Sequence, residues 1–210
     1  MRIYLFYKNI LDILFALILL VLTAPIMVLS AIAIKCESKG PALFKQLRPG
    51  KNARIFHVYK FRTMRVETEK EERLLSDKER ITKVGAFLRK TSIDELPQLL
   101  NILQGKMSFI GPRPLLVQYL ELYSAEQMRR HEVAPGISGW AQVNGRNEIG
   151  WEEKFKLDVW YVDHISFLVD LKILWMTFVN VIRRTGINNS SVDTMPFFRG
   201  SAESKETQHY

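Results

Sequence analysis

At 210 residues and 24.5 kDa, with a net charge of +8 and a pI near 9.6, the chain can build one core but is too small for a multi-pass transporter. Its single cysteine, Cys36, excludes an intrachain disulfide and a cysteine-based metal cluster, and it suits a reducing compartment. The positive charge suits nucleic acid, anionic lipid or a phosphorylated substrate, and its placement decides between them. Residues 1–60 hold nine Lys or Arg against only Asp12 and Glu37, clustered around an apolar segment where they would face anionic headgroups. Inner-leaflet anionic lipid is therefore an expected partner and nucleic acid is not. His57, His131, His164 and His209 lack metal-ligand spacing and are expected to be surface or satisfied core residues.

Ile13 to Ile34 carries no charge over 22 residues, and roughly 20 apolar residues suffice to cross a ~30 Å hydrocarbon core. Pro25 interrupts the run, because it removes a backbone donor and kinks or breaks a helix. After a break there, Ile26 to Ile34 would span only about 14 Å at ~1.5 Å per residue, too short to cross. Basic residues flank both ends: Arg2 and Lys8 before; Lys35, Lys39, Lys45 and Arg48 after. A spanning helix puts one flank outside, whereas a helix that enters, bends at Ala24-Pro25 and returns keeps both on the cytoplasmic face. Composition leaves both readings open, since kinked spanning helices are tolerated. A cleaved signal peptide ending at Ala31-Ile32-Ala33 is disfavoured, because the run exceeds the usual ~7–15 residues and the following lysines oppose export.

Residues 42–47 and 54–61 are strand-like and joined by the turn-rich Arg48 to Ala53, which predicts a hairpin just above the membrane. Val66 to Arg80 mixes six acidic with four basic side chains and predicts a solvated helix or loop without chemistry. Leu96, Leu99, Leu100 and Leu103 have helical spacing. Pro97 fits the first helical position and Gly105 the end, placing Asp94 and Glu95 at the helix mouth. A start at Ser92 with Glu95 as a capping box competes, but would leave Pro97 inside the helix. Pro135 to Trp140 and Asn144 to Asn147 read as loops able to bind ligands through backbone amides, or as ordinary turns. Asp170 to Arg184 is mostly apolar and carries Trp175, so it predicts either a helix in the headgroup boundary or a buried core helix. The polar tail after Asn188 is expected to be loosely ordered.

Phosphoryl transfer needs a nucleophile held in line, a metal to bridge oxygens and fixed positive charge. Asp94 suits an attacking carboxylate or a magnesium ligand, and Glu95 suits a proton carrier or a second ligand. Adjacent carboxylates repel, which a divalent cation or a nearby arginine relieves. Lys60, Arg89 and Arg113 are the candidate cations, Arg113 because Pro112 and Pro114 restrict its backbone and favour a prearranged bidentate grip. The alternative is that Asp94 and Glu95 only favour a helix dipole, with Arg89 paired to one of them.

From about Lys8 to Arg184 the chain resembles the bacterial sugar transferase family, the monotopic phosphoglycosyl transferases. The resemblance is carried by the apolar segment with its proline, Tyr59-Lys60-Phe61-Arg62-Thr63-Met64, Ser92 to Leu99, Met107 to Pro114, Pro135 to Arg146, and Trp151 to Tyr161. It implies the small single-domain form. The fold expected is α+β and mostly helical: a re-entrant membrane helix over 1–36 broken near Pro25, a compact cytoplasmic catalytic domain over 37–188 with interfacial helices and a small β-hairpin, and a tail over 189–210.

The resemblance also implies transfer of a sugar 1-phosphate from a UDP-sugar to undecaprenyl phosphate at the cytoplasmic face of the bacterial inner membrane, releasing UMP. Asp94 would attack phosphorus and carry a covalent phosphosugar, with Mg2+ assisting at Asp94 and Glu95. Lys60, Arg89 and Arg113 would bind phosphate, and Gln142, Asn144, Arg146 and Asp158 the nucleotide sugar. Ala24 stands where the family often has serine, whose hydroxyl would satisfy a carbonyl freed at the break. Two other functions compete: a non-catalytic membrane-surface adaptor, indifferent to Asp94→Asn, and a glycosyltransferase that releases UDP.

Overall fold

The computed structural model describes residues 2–66, 69–70, 73–145, 149–183 and 197–201. In chain order its regular elements are α1 (Arg2–Glu37), the strands β1 (Leu43–Pro49), β2 (Ile55–Phe61), β3 (Glu69–Lys70) and β4 (Arg73–Leu74), then α2 (Asp77–Arg80), α3 (Lys83–Thr91), α4 (Leu99–Leu103), β5 (Ser108–Ile110), α5 (Ala125–Met128), β6 (Gly136–Ser138), α6 (Trp140–Asn144), α7 (Trp151–His164) and α8 (Phe167–Arg183). The fold is α+β and mostly helical. It divides into two compact units: the first holds Met1–Asp12, Leu47–Phe56 and Gln104–Tyr210, the second Ile13–Gln46 and His57–Leu103.

Among the described residues α1 is the one helix long and apolar enough to cross a membrane. Val21, Leu22 and Leu29 are each 67% exposed, an arrangement that calls for lipid rather than water around them. Pro25 lies inside the helix, so the expected break is a proline within a helix rather than an interruption of it. The Thr23 hydroxyl donates to the Leu19 carbonyl at 2.7 Å and the Ser30 hydroxyl to that of Ile26 at 2.8 Å. Such back-bonding on either side of a proline favours bending.

In the first unit, Lys8 departs from the expected role of a headgroup-facing flank. It is buried and pairs with Asp170 at 2.7 Å and Asp12 at 3.7 Å. Tyr4 donates to Asp170 Oδ2 and Tyr161 to Asp170 Oδ1, both at 2.7 Å, while Ser108 donates to Asp12 at 2.7 Å. Tyr4, Lys8 and Asp12 recur every fourth residue and so share one helix face. That face is polar because it is met by carboxylates and hydroxyls.

The expected hairpin is present as β1 and β2, joined through Gly50 to Arg54. Val66 to Arg80 differs from its expectation: β3 and β4 pair antiparallel, Glu69 with Leu74 and Lys70 with Arg73, ahead of α2. Neither predicted start of the dyad helix holds. α3 ends at Ser92 in the left-handed conformation (φ 58°), Ile93–Gln98 forms a 3-10 helix containing Pro97, and α4 begins only at Leu99. Ser92 makes no side-chain cap, so the capping box is absent. A reversed corner followed by i→i+3 turns tolerates a proline that an α-helical interior would not.

The core of the second unit joins Ile34 of α1, Phe61 of β2 and Leu88 of α3, with Val84 and Ile93 against them. Gly85 is the tightest point of this packing, because a Cβ there would lie 2.1 Å from the Thr63 carbonyl oxygen. Gly85→Ala is expected to cost about 2–3 kcal/mol, since backbone cannot swing aside as a side chain can. Chemical denaturation checks this, and a change under ~0.5 kcal/mol would contradict that close approach.

In the first unit the segments Met107 to Pro114 and Pro135 to Trp140, the second expected to be loop, are joined by β5 and β6. These pair in parallel, Ser108 with Gly136 and Ile110 with Ser138. A Cβ on Gly136 would lie 2.1 Å from the Gly111 nitrogen, so the two segments meet at glycine. Ile110, Val133, Tyr161, Val162 and Ile173 form one core cluster, and Tyr119, Tyr123, Phe155 and Phe198 another. Phe198 corrects the expectation of a loose tail for residues 197–201: it is buried, and Ser201 bonds Gln127 at 2.6 Å. In α8, Asp170 and Ile173 are buried while Leu168, Leu171, Leu174, Trp175, Phe178 and Val181 are exposed. Of the two sequence readings, this favours the headgroup boundary.

Candidate active site

In the second unit, Asp94 and Glu95 occupy the first turn of the 3-10 helix, set there by the left-handed corner at Ser92. The Lys60 ammonium meets Glu95 Oε1 at 2.6 Å, with the two side chains 29% and 20% exposed. The structure thus brings together two expected site residues 35 positions apart. Arg89 bonds the Thr63 hydroxyl through Nε at 2.9 Å, tying α3 to the segment after β2. Asn101, which sequence reasoning passed over, is fully buried. Its amide donates to the His57 carbonyl at 2.7 Å and its oxygen accepts the Tyr59 N–H at 3.0 Å. One side chain from α4 therefore clamps β2 immediately before Lys60, which sets where that ammonium lies. Arg62 was missed too: its Nη2 donates to the Ser38 carbonyl at 2.8 Å and its Nη1 to that of Lys39, holding the C-terminal end of α1. The sequence signal for both was their proximity to Lys60 and Asp94 within or beside the quoted motifs.

In the first unit, Arg113 lies in the irregular stretch after β5. Arg48, expected only as part of the basic flank, and Lys154, not singled out in the sequence, lie within its electrostatic reach. Burial, and then the like charge of Arg113, pushes the Arg48 guanidinium below its ordinary range. Burial likewise lowers Lys154, with Asp158 opposing and Arg113 reinforcing. Arg113 thus carries two neighbouring cations whose charge it opposes, a setting that favours an anionic group such as phosphate. Asp158 is buried and takes its bonds from Arg130, at 2.6 and 3.0 Å. Gln142 donates to the Ile137 carbonyl and Asn144 to that of Trp140, each at 2.8 Å. Among the described residues the buried Gln142 Oε1 has no hydrogen-bond partner. Arg146 lies outside the described residues.

His131, buried against Tyr123, bonds the Gly50 carbonyl through Nδ1 at 3.2 Å. Burial, aided by the adjacent Arg130 charge, lowers its pKa to about 4. The folded value lies below the unfolded one, so its stabilising contribution is complete above pH ~6.5 and is lost as pH falls toward ~4, by up to about 3 kcal/mol. Unfolding free energies measured at pH 7 and 4.5 should therefore differ less in His131→Gln than in the parent. Equal differences would contradict a buried neutral imidazole.

Among the described residues no three His, Cys, Asp or Glu side chains converge. A divalent ion would need part of its shell from elsewhere. The neighbouring Asp94 and Glu95 suit Mg2+, which is commonly held by one or two carboxylates plus substrate phosphate oxygens.

The family model described as "Bacterial sugar transferase" matches residues 3–184. A Bacillus subtilis relative, "Uncharacterized sugar transferase EpsL", is 50% identical over 93% of this chain and 97% of its own length. The "UDP-glucose:undecaprenyl-phosphate glucose-1-phosphate transferase" of Klebsiella pneumoniae is 41% identical over 81% of this chain and 39% of its own. An Aeromonas hydrophila relative, "UDP-N-acetylgalactosamine-undecaprenyl-phosphate N-acetylgalactosaminephosphotransferase", is 41% identical over 88% of this chain and 45% of its own. The chain thus spans under half the length of these last two. With the match running from the first turns of α1 to the end of α8, and holding both the dyad and the proline-flanked arginine, the chain belongs to the bacterial sugar transferase family, the phosphoglycosyl transferases.

Proposed function

We propose that the chain transfers a sugar 1-phosphate from a UDP-sugar to undecaprenyl phosphate, releasing UMP and leaving a diphosphate-linked lipid sugar. The observation that carries this reading is the Asp94-Glu95 pair with Lys60 seated on Glu95, in a chain whose relatives are named for glucose 1-phosphate and N-acetylgalactosamine phosphate transfer to that lipid. An Asp94 carboxylate oxygen attacks the sugar-bearing phosphorus. The bond from that phosphorus to the bridging oxygen breaks, UMP departs with the electron pair, and an acyl phosphate joins sugar phosphate to Asp94. A phosphate oxygen of the lipid then attacks the same phosphorus and frees the carboxylate.

Lys60, Arg89 and Arg113 offset the charge developing on the phosphoryl oxygens. Glu95 holds or relays a proton beside Asp94. Gln142, Asn144, Arg146 and Asp158 belong to nucleotide-sugar recognition. Bound Mg2+ would supply Lewis-acid stabilisation of the diphosphate, and Asp94 and Glu95 would hold it.

The lipid phosphate dictates location: the reaction takes place at the cytoplasmic face of the inner membrane. There the membrane segment over residues 1–36 enters, bends at Ala24 and Pro25 and returns, and inner-leaflet anionic lipids meet the basic flank. The catalytic domain covers 37–188, followed by the tail over 189–210. Purified protein incubated with undecaprenyl phosphate, Mg2+ and a panel of UDP-sugars tests the reaction. Lipid-dependent UMP release from one sugar is expected. UDP release, or no release from any sugar, would overturn the reading.

A further inference from the structure

Pro112 and Pro114 have no N–H, so the stretch that carries Arg113 can be fastened by few backbone groups. The fastenings it has are specific. The Gly111 N–H donates to the Ser138 carbonyl at 2.9 Å, and the Pro112 carbonyl accepts the Gly136 N–H at 3.1 Å, so β6 holds the stretch up to the proline. The next carbonyl, that of Arg113 itself, accepts from Arg130 Nη2 at 2.8 Å.

The Arg130 side chain is 1% exposed. Nε and Nη2 both converge on Asp158 Oδ2, at 3.0 and 2.6 Å, and Nη1 reaches the Tyr123 hydroxyl at 3.4 Å. The guanidinium lies 5.8 Å from the Tyr123 ring centroid and 5.7 Å from that of Phe155. A buried ion pair adds little net stability over a well-packed apolar pair. What a planar fork does provide is direction: with Asp158 fixing its plane and two rings fixing its position, the Nη2 bond to Arg113 can point only one way.

We propose that Arg130 is a positioning residue for the transfer reaction, acting through the Arg113 carbonyl to aim the Arg113 guanidinium at substrate phosphate, with Asp158 orienting Arg130. The proposal rests on the reading of Arg113 as a phosphate contact. It assigns Asp158 an indirect part in donor recognition: a carboxylate spent on Arg130 governs the phosphate grip.

Arg130→Lys keeps the charge but loses the fork, so lipid-dependent UMP release should show kcat reduced about 10–100-fold, as for a catalytic group misplaced by ~1 Å. A core strut would weaken the enzyme independently of Arg113. A positioning residue would not, so in an Arg113→Ala background the same change should cost less than about 2-fold further. Multiplying losses in the double variant, or a wild-type kcat in Arg130→Lys, would overturn the proposal.

Hydrogen exchange gives a readout that needs no activity and separates failure of the transfer reading from failure of this one. Between Pro112 and Pro114 the one amide is that of Arg113. In Arg130→Lys, and equally in Asp158→Asn should the lysine variant fold poorly, exchange in Gly111 to Leu116 should quicken while α7 stays protected. Unchanged exchange in that stretch, or loss of protection throughout Trp151–His164, would overturn it.

Discussion

Replacing Asp94 by Asn is expected to lower lipid-dependent UMP release by at least ~10^3-fold, because it removes the atom proposed to form the bond to phosphorus. The amide keeps the size and the hydrogen-bonding reach of the carboxylate but not its nucleophilicity. The substitution also places a neutral group beside Glu95, which relieves like-charge repulsion and should leave stability unharmed or slightly improved. Loss of turnover without loss of folding is therefore the expected pattern, read from UMP release together with thermal unfolding. Incubation with donor alone, followed by mass spectrometry, should find a sugar phosphate adduct on the Asp94 peptide of the parent and none on the variant. An Asp94→Asn enzyme that turned over at the parent rate would end the covalent mechanism and restore the adaptor or UDP-releasing readings.

Lys60→Met is expected to reduce kcat/KM by about 10^2-fold, the usual effect of removing one preorganised charge from a phosphoryl-transfer site. Methionine keeps most of the apolar stem and loses the ammonium. The ion pair with Glu95 is short, 2.6 Å, but its side chains remain 20–29% exposed. Solvent screening then limits its contribution to folding to about 0–1 kcal/mol. The variant should thus unfold within a few degrees of the parent while losing most activity. Lys60→Arg, which retains charge in a different geometry, should recover part of the rate. If Lys60→Met instead kept full activity and lost stability, the pair would be a fold element and Glu95 would need another partner in catalysis.

Much of the candidate site was legible because its signals are local. Adjacent carboxylates, a proline-bracketed arginine and a charge-free run are each visible within a short stretch of chain. So were the β1–β2 hairpin, from its turn-rich joint, and α8, from its apolar run. The 3-10 turn under the dyad was not, because Pro97 reads equally as the first residue of an α-helix. Its true position depends on the left-handed corner at Ser92. The β5–β6 pair was missed for a related reason: each strand has three residues, too few to show alternation, and each became a strand only by finding the other.

The sequence by itself determined the membrane-seeking helix, the dyad, the candidate cations and the family motifs, since each follows from residue types at short spacing. Only tertiary structure decided which charges are withdrawn from solvent and which residue aims another. Tyr4 meets Asp170 across 166 positions, Ser108 meets Asp12 across 96, and Asn101 meets Tyr59 across 42. The same holds for Lys8, read as a headgroup contact and found paired with Asp170, and for Arg130, inconspicuous in sequence and found between Asp158 and Arg113. Burying a charge is costly unless a partner arrives from elsewhere in the chain. Whether one arrives is a property of the packing, and no local pattern encodes it.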